Sequence, residues 1–396
     1  MTRMAATAFA LWLSVGASHG QMGRYSAAFR ADVSDFADTI ALEWDRDRIY
    51  VPVEAQGRRL RFLLDTGAGQ SVVFQGTPLA EGPRQGSLIS HDATGHADTV
   101  PLVGLPPLTL GGVTLSGGQA LVQRQSLLSH GIDGILGFDL VNSGLSVKID
   151  VPSRQLIISD RRDIFCREPS AVTLPYKLDY HVPYVDVVPF GRRRERMRFD
   201  TGSRQFMLLN KESFDGLLLT DDVTIEGISV GRHATGHHGV ESESEVAFMR
   251  LDNVRLGRYS FSGVHSITTQ GRSHLGARVL RYGAVSFCPR HKRMMFQPVS
   301  IGQPCRVDNP QLEIAFVADR QRRPQVGLVW EGGEPFRLGF RQGDVIEQID
   351  RQSVRTIGEF LSWPFQEGRE YLFTLRDLWG RQRTVRWVRR PVGSAY

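Results

Sequence analysis

Cysteine is scarce in this 396-residue chain and forms no paired motif. Cys166, Cys288 and Cys305 are its three cysteines, and no two of them are spaced as Cys-x-x-Cys. The sequence therefore contains neither a zinc ribbon nor a dithiol redox motif. In an oxidising compartment one disulfide can form and one thiol is left over, but the spacing does not select the pair. We interpret all three cysteines as structural and expect no metal and no cofactor.

The sequence also lacks a long apolar run and a concentrated basic surface. No segment reaches the ~18 consecutive apolar residues that a transmembrane helix needs, so no stable membrane insertion is expected. The net charge of +6 is mild for this length, and the basic residues are scattered without interleaved aromatic residues. Nucleic-acid binding is therefore not expected. The most basic stretch, residues 192–196, is interpreted as a solvated hairpin turn.

The first 20 residues have the composition of a secretory signal peptide. Arg3 precedes a mostly apolar run over residues 5–15, and small residues follow up to Gly20. We expect cleavage near Gly20 and an extracytoplasmic protein, either periplasmic or secreted; an uncleaved anchor is the alternative. Residues 21–45 are assigned to an N-terminal extension.

What the sequence does contain is an internal repeat of short apolar stretches separated by turn residues. Its 41 glycines and frequent short apolar runs favour strands over long helices. Asp-Thr-Gly occurs twice, beginning at Asp65 and at Asp200, 135 residues apart, and each copy follows a strand-like stretch. Three further pairs of similar segments recur in the same order: 91–96 with 233–237, 108–111 with 254–257, and 135–140 with 274–279. The repeat predicts two all-β lobes related by a pseudo-twofold axis.

The repeat also sets the expected domain boundaries. The first lobe is expected over residues 46–160 and the second over 181–300, with a connector at 161–180. A further segment, residues 310–392, has no Asp-Thr-Gly and is assigned to a separate domain.

Two Asp-Thr-Gly triplets predict a catalytic carboxyl pair. One such triplet is weak evidence, because Asp and Gly are common turn residues. Two copies at equivalent places of a repeat would bring Asp65 and Asp200 face to face at the lobe interface. Carboxylates about 3 Å apart share one proton, so one member can act as a general base on a water while the other donates a proton.

The residues beside each aspartate have expected supporting roles. Thr66 and Thr201 are expected to hydrogen-bond across to the opposite loop and hold the pair rigid. Gly67 and Gly202 allow the backbone to approach the carboxyls closely. Ser203 is able to donate to Asp200, whereas its counterpart in the first repeat is an alanine.

These motifs resemble the pepsin-like and retropepsin-like aspartic peptidases, whose signature is two hydrophobic residues followed by Asp-Thr-Gly-Ala/Ser. Residues 63–68 match it fully and residues 199–203 match from the second hydrophobic position. The resemblance covers roughly residues 46–300. It implies two β-barrel lobes with a cleft between them, and endopeptidase activity on a peptide or protein substrate.

The sequence departs from that family in a few places. Arg198 and His274 stand where the family has apolar residues, which we interpret as a question of local packing more than of chemistry. Residues 86–100 contain no Tyr or Trp, so a pepsin-like flap is not expected. Instead each lobe has a Thr-Gly-His tip, and the four tip residues are assigned to substrate binding by two short flaps. These residues are Thr94, Gly95, Thr235 and Gly236.

Five of the eleven histidines lie in the two flap segments. They are His91, His96, His233, His237 and His238. We favour solvent-exposed loop residues, because loops routinely carry polar side chains. The alternatives are a pH-dependent gate that charges below about pH 6.5, and a zinc site through His233 and His237.

The C-terminal segment resembles a PDZ domain. Residues 339–346 fit its Gly-hydrophobic-x-x-Gly-Asp-x-Ile signature, and strands and two short helices are expected around them. The resemblance implies an α+β domain that docks a C-terminal peptide by strand addition. The carboxylate-binding loop, expected in residues 320–324, lacks the usual pattern, so a degenerate domain that packs on the lobes is equally favoured.

Three functions remain open from sequence. The first is an extracytoplasmic aspartic endopeptidase, in which the C-terminal domain docks peptides or regulates the site. The second is a non-catalytic peptide-binding or scaffold protein that keeps the fold; two intact triplets argue against it. The third is a peptidase that processes itself or one dedicated partner.

Overall fold

A computed structural model describes residues 29–91, 96–125, 131–168, 170–215, 221–235, 239–300, 302 and 304–389 of the protein. The predicted signal peptide and the first part of the N-terminal extension lie outside these residues. Strands in several sheets make up most of the described chain and its helices are short, so the fold is all-β, as predicted. Within the described ranges no helix is long and apolar enough to span a membrane.

The first repeat incorporates part of the predicted N-terminal extension. Its strands are β1 (Arg30–Ala31), β2 (Ala37–Ala41), β3 (Glu43–Asp45), β4 (Arg48–Ala55), β5 (Arg58–Leu64), β6 (Val72–Phe74), β7 (Arg84–His91), β8 (Ala97–Gly104), β9 (Leu108–Leu110), β10 (Val113–Ser116), β11 (Gln119–Gln123), β12 (Gly134–Leu136), β13 (Ser146–Asp150) and β14 (Gln155–Ser159). A 3-10 turn spans Pro78–Glu81, and helix α1 covers Asp139–Asn142. Because β1 pairs with β10 and β2 with β14, residues 30–45 belong to the sheets of this repeat.

The second repeat follows the same order of elements. Its strands are β15 (Val172–Asp179), β16 (Val182–Val187), β17 (Glu195–Asp200), β18 (Met207–Asn210), β19 (Val223–Gly231), β20 (Ser244–Leu251), β21 (Val254–Leu256), β22 (Tyr259–Ser262), β23 (Val264–Thr269), β24 (His274–Gly276), β25 (Gly283–Cys288), β26 (Arg293–Pro298) and β27 (Cys305–Arg306). Helix α2 covers Lys211–Asp215, and 3-10 turns span Ala277–Tyr282 and Pro289–His291.

Alternating burial explains why these segments are strands. In β15, Val172, Leu174 and Tyr176 are buried and the residues between them are exposed, as expected for a period of two. The hairpin from β4 to β5 turns through Gln56 and Gly57, whose φ angles are 51° and 72°. Two consecutive residues with positive φ give the turn twist that matches the flanking strands.

The two repeats share one central motif, which positions the aspartates. In the first repeat β12 lies between β5, to which it is parallel, and β6, to which it is antiparallel. In the second repeat β24 lies in the same way between β17 and β18. Leu136 is opposite Leu64, and Leu275 is opposite Phe199. Asp65 therefore directly follows β5, and Asp200 is the last residue of β17, so each aspartate lies at the end of a strand that pairs with a parallel neighbour.

A shared set of strands joins the repeats. One sheet contains, in order, the strands β2-β14-β13 of the first repeat and β25-β26-β15 of the second. The two repeats meet where β13 pairs with β25. A disulfide between Cys166 and Cys288 ties the connector to the end of β25, and Cys305 is a free thiol. The structure thus selects the pair that the sequence left open.

A buried ion pair also crosses between the repeats. Asp47, in the turn between β3 and β4, is 2% exposed and accepts hydrogen bonds from Arg278 Nε at 2.9 Å and Nη2 at 2.6 Å. Arg281 Nε donates to the same carboxylate at 2.6 Å. Both arginines lie in the 3-10 turn that directly follows β24. The turn between β3 and β4 in the first repeat is therefore anchored to the 3-10 turn after β24 in the second repeat.

The C-terminal segment forms its own sheet with two short helices. Its strands are β28 (Ile314–Ala318), β29 (Pro324–Val329), β30 (Val345–Ile349), β31 (Gln352–Ser353), β32 (Glu370–Arg376) and β33 (Gln382–Val388). Its helices are α3 (Glu334–Leu338) and α4 (Ile357–Leu361). These elements lie close to those expected from the sequence, but the PDZ resemblance itself stays a prediction. Likewise, the domain boundaries stay predictions.

Candidate active site

Each Asp-Thr-Gly loop is a tight turn at the end of a buried strand. Asp65 N donates to Leu136 O at 2.9 Å, which fixes the first loop to β12. Ala68 N donates to Asp65 O at 3.2 Å, and Ser203 N donates to Asp200 O at 3.2 Å. The loops therefore have matching backbone geometry, which follows from their equivalent places in the repeat.

The two threonines lock the loops to each other. Thr66 Oγ1 donates to Phe199 O at 2.8 Å and accepts from Thr201 N at 3.0 Å. Thr201 Oγ1 donates to Leu64 O at 2.8 Å and accepts from Thr66 N at 2.9 Å. Thr66 is 3% exposed and Thr201 is fully buried, so this reciprocal network is shielded from water. Both threonines thus make the cross-loop hydrogen bonds, and their support of a catalytic pair stays a prediction.

The glycines of the loops interlock with the opposite carboxyls. A Cβ at Gly67 would overlap the carboxyl group of Asp200, and a Cβ at Gly202 would overlap that of Asp65. Only glycine leaves room for this approach. Each glycine also donates its N–H to its own aspartate, Gly67 to Asp65 Oδ1 at 2.8 Å and Gly202 to Asp200 Oδ1 at 3.0 Å.

The structure brings Asp65 and Asp200 into direct contact. Each carboxyl group lies against the glycine of the opposite loop, and the two are close enough for the charge of one to act on the other. Burial raises the pKa of Asp65, and the negative charge of Asp200 raises it further, to about 7. Burial also acts to raise the pKa of Asp200, but the positive charge of Arg198 and further favourable contacts outweigh it and hold that pKa below its usual value. The two members of the pair therefore have different electrostatic surroundings.

Arg198 and His274 surround Asp200, which the sequence interpretation missed. Arg198 Nη2 lies 2.8 Å from Asp200 Oδ2, so this departure from the family pattern changes the charge of the site and not only its packing. His274 Nε2 lies 3.0 Å from Ser203 Oγ. The Ser203 hydroxyl is therefore engaged with the imidazole, and Ser203 reaches Asp200 through its backbone N–H at 3.2 Å instead.

Behind the first loop, Asp139 forms a buried network that the sequence analysis did not single out. Its carboxylate accepts from Ser71 N at 2.9 Å, Ser71 Oγ at 2.8 Å and Gln70 Nε2 at 2.9 Å. Burial raises the pKa of Asp139 to about 6 against the lowering effect of these donors. Its counterpart in the repeat is Arg278, which binds Asp47. The signal available was a charged residue in an otherwise apolar segment.

The hairpins β7–β8 and β19–β20 correspond to the two predicted flaps. Thr94, Gly95 and Gly236 lie outside the described residues, and Thr235 forms an isolated β-bridge with Val240. Gly239 is the next described residue of the second hairpin, and a Cβ there would lie 3.3 Å from the His96 ring. The ends of the two hairpins, one from each repeat, therefore approach each other. Their role in substrate binding stays a prediction.

The expectation of exposed flap histidines is wrong for His233. This side chain is 1% exposed, with Nε2 3.1 Å from Thr268 O and 3.4 Å from Glu241 Oε1. Burial lowers its pKa. His91 and His96 are exposed, whereas His237 and His238 lie outside the described residues. The Thr268 carbonyl and the Glu241 carboxylate both lie near Nε2, and these polar partners favour burial of this side chain.

Among the described residues, one group of three side chains has its potential metal-ligand atoms close together. It consists of Asp163, Cys166 and His291. The sulfur of Cys166 is in the disulfide with Cys288, so only a carboxylate and an imidazole remain as ligands. His291 Nε2 lies 2.8 Å from Asp163 Oδ1, an arrangement that an ordinary surface ion pair explains.

Comparisons with known proteins point to the first repeat. A family model described as aspartyl protease matches residues 51–140, which contain the first Asp-Thr-Gly loop and β12. The crystal structure of basic 7S globulin from soybean is similar to this chain, with a TM-score of 0.42 and 13% identity, covering 67% of this chain and 95% of that one. No curated protein sequence matches the chain. The region of the first repeat is thus similar in sequence to aspartyl proteases.

Proposed function

We propose that this protein is an aspartic-type endopeptidase. The observation that carries the proposal is the close approach of Asp65 and Asp200, each on an Asp-Thr-Gly loop from one repeat, with the two loops locked to each other. A single shared proton gives the pair one acid and one base, which is what amide hydrolysis by an activated water requires. The aspartyl protease match over residues 51–140 supports the same function.

The chemistry needs no group beyond the two carboxyls and water. The ionised Asp200 removes a proton from a water bound between the carboxyls as its oxygen attacks the scissile carbonyl carbon. Asp65 gives its proton to the carbonyl oxygen, and a neutral tetrahedral diol forms. Asp200 then passes the proton that it took from water to the amide nitrogen, the C–N bond breaks, and one diol hydroxyl gives its proton to Asp65. The products are a carboxylic acid and an amine, and the pair regains one proton.

We infer an extended peptide as substrate. The two hairpins come from opposite repeats and meet near His96 and Gly239, which supports a strand-shaped substrate held between them and the carboxyls. An extracytoplasmic location is part of the same proposal. The N-terminal 20 residues and the Cys166–Cys288 disulfide support it, because disulfides persist in oxidising compartments.

A non-catalytic peptide-binding protein is the second candidate function. The observation that favours it is the ion pair between Arg198 and Asp200, which occupies one oxygen of a carboxyl group that catalysis needs. Asp200 Oδ1, which faces Gly202 N, remains available for the shared proton. The ion pair therefore weakens Asp200 as a base without removing the pair.

A hydrolysis assay separates these functions. The purified protein is incubated from pH 3 to 8 with denatured casein and with proteome-derived peptides, with and without a statine-type inhibitor. We expect inhibitor-sensitive cleavage that is lost above about pH 7, because the pKa of Asp65 is about 7 and its proton is required. Peptide binding without cleavage at any pH would support the second candidate. Cleavage of the full-length chain alone would point to self-processing.

The C-terminal sheet packs against the hairpin of the second repeat. The Trp330 ring stacks on Phe248 of β20 at 5.9 Å. Arg232 N, just after β19, donates to Gly327 O at 2.8 Å, and Gln342 Nε2 donates to Glu243 Oε2 at 2.6 Å. Leu208, Val246 and Ile267 of the second repeat share a buried cluster with residues of the C-terminal segment.

The strand that follows residues 319–323, where the docked peptide was expected, is an inner strand of the same sheet. Residues 319–323 form a tight turn held by Asp319, and β29 lies inside the sheet between β28 and β30. The outer strand β28 is covered on one face by α4, where the rings of Phe316 and Phe360 lie 4.6 Å apart. These contacts support a C-terminal domain that braces the β19–β20 hairpin. We therefore propose that the domain regulates the site through this hairpin and does not dock a peptide at residues 320–324.

Replacing Trp330 tests the bracing role. Trp330→Ala removes the stack on Phe248 and should loosen β19–β20, so KM for peptides rises about 2- to 30-fold with kcat little changed. Steady-state kinetics measure both constants. The matched control is Trp379→Ala, because Trp379 is 77% exposed in the turn between β32 and β33. Equal KM values for the two variants would contradict the proposal.

A further inference from the structure

The two halves of the carboxyl pair have different surroundings, although their backbones match. In a strand, residues two apart face the same side. The residue two before Asp65 is Leu63, which lies in an apolar cluster with Tyr50, Val72 and Leu88. The residue two before Asp200 is Arg198, and its guanidinium reaches the carboxylate at 2.8 Å.

The same asymmetry extends to the neighbouring strand. His274 of β24 is the register partner of Arg198, and it stands where the first repeat has the buried Ile135. Its Nε2 lies 3.0 Å from Ser203 Oγ and its Nδ1 lies 3.2 Å from Arg272 O. An Nδ1–H donated to that carbonyl leaves Nε2 as an acceptor for the Ser203 hydroxyl, so the imidazole fits this site in its neutral form.

Arg198 is held in place within the protein. Its side chain is 17% exposed and that of Asp200 is 10% exposed, so solvent screens the ion pair less than it would at the surface. The donor contacts Oδ2 of Asp200, while Oδ1 accepts from Gly202 N and Ser203 N. The positive charge of Arg198 therefore lies beside Asp200 and not beside Asp65.

We propose that Arg198 is a positioning residue that keeps Asp200 ionised and leaves the shared proton on Asp65, which makes Asp200 the base and Asp65 the acid. This assignment rests on the proposed peptidase function. It goes beyond that function because two carboxyls in matching loops do not by themselves specify which one carries the proton.

The charged and titratable groups around the pair give the direction of its pH dependence. Arg198, His274 and Asp65 act on Asp200, and Tyr184 of β16 faces Arg198. Burial lowers the pKa of His274 to about 4, so over most of the working range Arg198 is the positive charge beside Asp200. The active form, with one proton on the pair, then extends from below the ordinary Asp pKa of 3.8 up to about 7.

The test is the pH profile of kcat/KM for Arg198→Met, a variant that keeps the length of the side chain and removes its charge. We expect the acid limb to move to higher pH by about one to three units, because an opposite charge at this distance lowers an Asp pKa by that amount. The alkaline limb should move less, since Arg198 acts on Asp65 over a greater distance. Arg198→Lys should restore the acid limb in part.

Matched controls make the result specific. Arg196→Met changes another arginine of β17, whose side chain is 54% exposed and pairs with Asp186, and it should leave the profile unchanged. Carboxyl titration by NMR in protein with 13C-labelled aspartate needs no activity. The carboxyl resonance that is missing from the Asp200→Asn spectrum identifies Asp200. In the wild type this carboxyl group should stay ionised below pH 4, and in Arg198→Met it should titrate at higher pH.

The outcomes separate this inference from the peptidase function. If the Arg198→Met acid limb and the Asp200 titration both coincide with those of the wild type, the role of Arg198 is refuted. Cleavage that depends on Asp65 would in that case still support the proposed peptidase function. If no cleavage depends on Asp65, the peptidase function fails, and the NMR titration alone decides whether Arg198 sets the charge of Asp200.

Discussion

We expect Asp65→Asn to lower kcat/KM for the proposed peptide hydrolysis by about 10²- to 10⁴-fold, the range for removal of a positioned acid–base group. The amide oxygen of asparagine can still accept from Gly67 N, which donates to Asp65 at 2.8 Å, so the loop geometry is retained. The amide cannot hold and release the proton that the pair shares. Initial rates on a single fluorogenic peptide at pH 5 to 6 measure the loss.

The stability of the same variant shows that the loss does not come from unfolding. The pKa of Asp65 is about 7 in the folded protein, above the usual 3.8, so the folded state becomes less stable relative to the unfolded state as pH rises from about 4 to 7. Asparagine removes this penalty. The Tm of Asp65→Asn should therefore exceed that of the wild type at pH 8, and the difference should vanish near pH 3.

An exposed aspartate provides the control for this prediction. Asp215 in α2 is 55% exposed and pairs with Lys211, so Asp215→Asn should leave kcat/KM unchanged. Activity of Asp65→Asn within tenfold of the wild type would contradict the carboxyl-pair mechanism.

Asp47→Asn destabilises the protein by about 3 kcal/mol or more, the second large effect that the structure predicts. The variant leaves Arg278, whose side chain is 5% exposed, without a negative partner. Asparagine tolerates the φ of 61° at this turn, so the change tests the charge and not the backbone. The midpoint of urea unfolding measures the loss, provided that the slope is unchanged.

A surface ion pair serves as the comparison. Asp186 pairs with Arg196 at 3.3 Å, with side-chain exposures of 42% and 54%, so Asp186→Asn should cost at most about 1 kcal/mol. A loss of less than 1 kcal/mol for Asp47→Asn would show that the ion pair between the repeats contributes little.

The sequence predicted the parts of the site that depend on local pattern. The repeated Asp-Thr-Gly triplets identified Asp65 and Asp200 as a pair, and the structure places their carboxyls in contact. The cross-loop role expected for Thr66 and Thr201 corresponds to four reciprocal hydrogen bonds. Such features follow from sequence because a repeat imposes the same strand and turn twice, and symmetry relates the two copies.

Other features depended on which side chains meet in space. Arg198 was interpreted as a packing change, yet its position two residues before Asp200 in β17 brings its guanidinium to that carboxylate. His233 was expected in solvent, yet it is buried against Thr268 and Glu241. Neither contact is visible in a linear pattern, because each joins residues whose proximity is set by the sheet.

The sequence by itself determined the all-β fold, the duplication and the two acidic residues of the candidate site, because strand periodicity and turn residues act over a few neighbouring positions. The tertiary structure alone decided the Cys166–Cys288 pair, the Asp47 anchor and the unequal charge of the two aspartates. These depend on distances between residues far apart in the chain. Electrostatic energy varies with that distance and with burial, which only the folded chain defines.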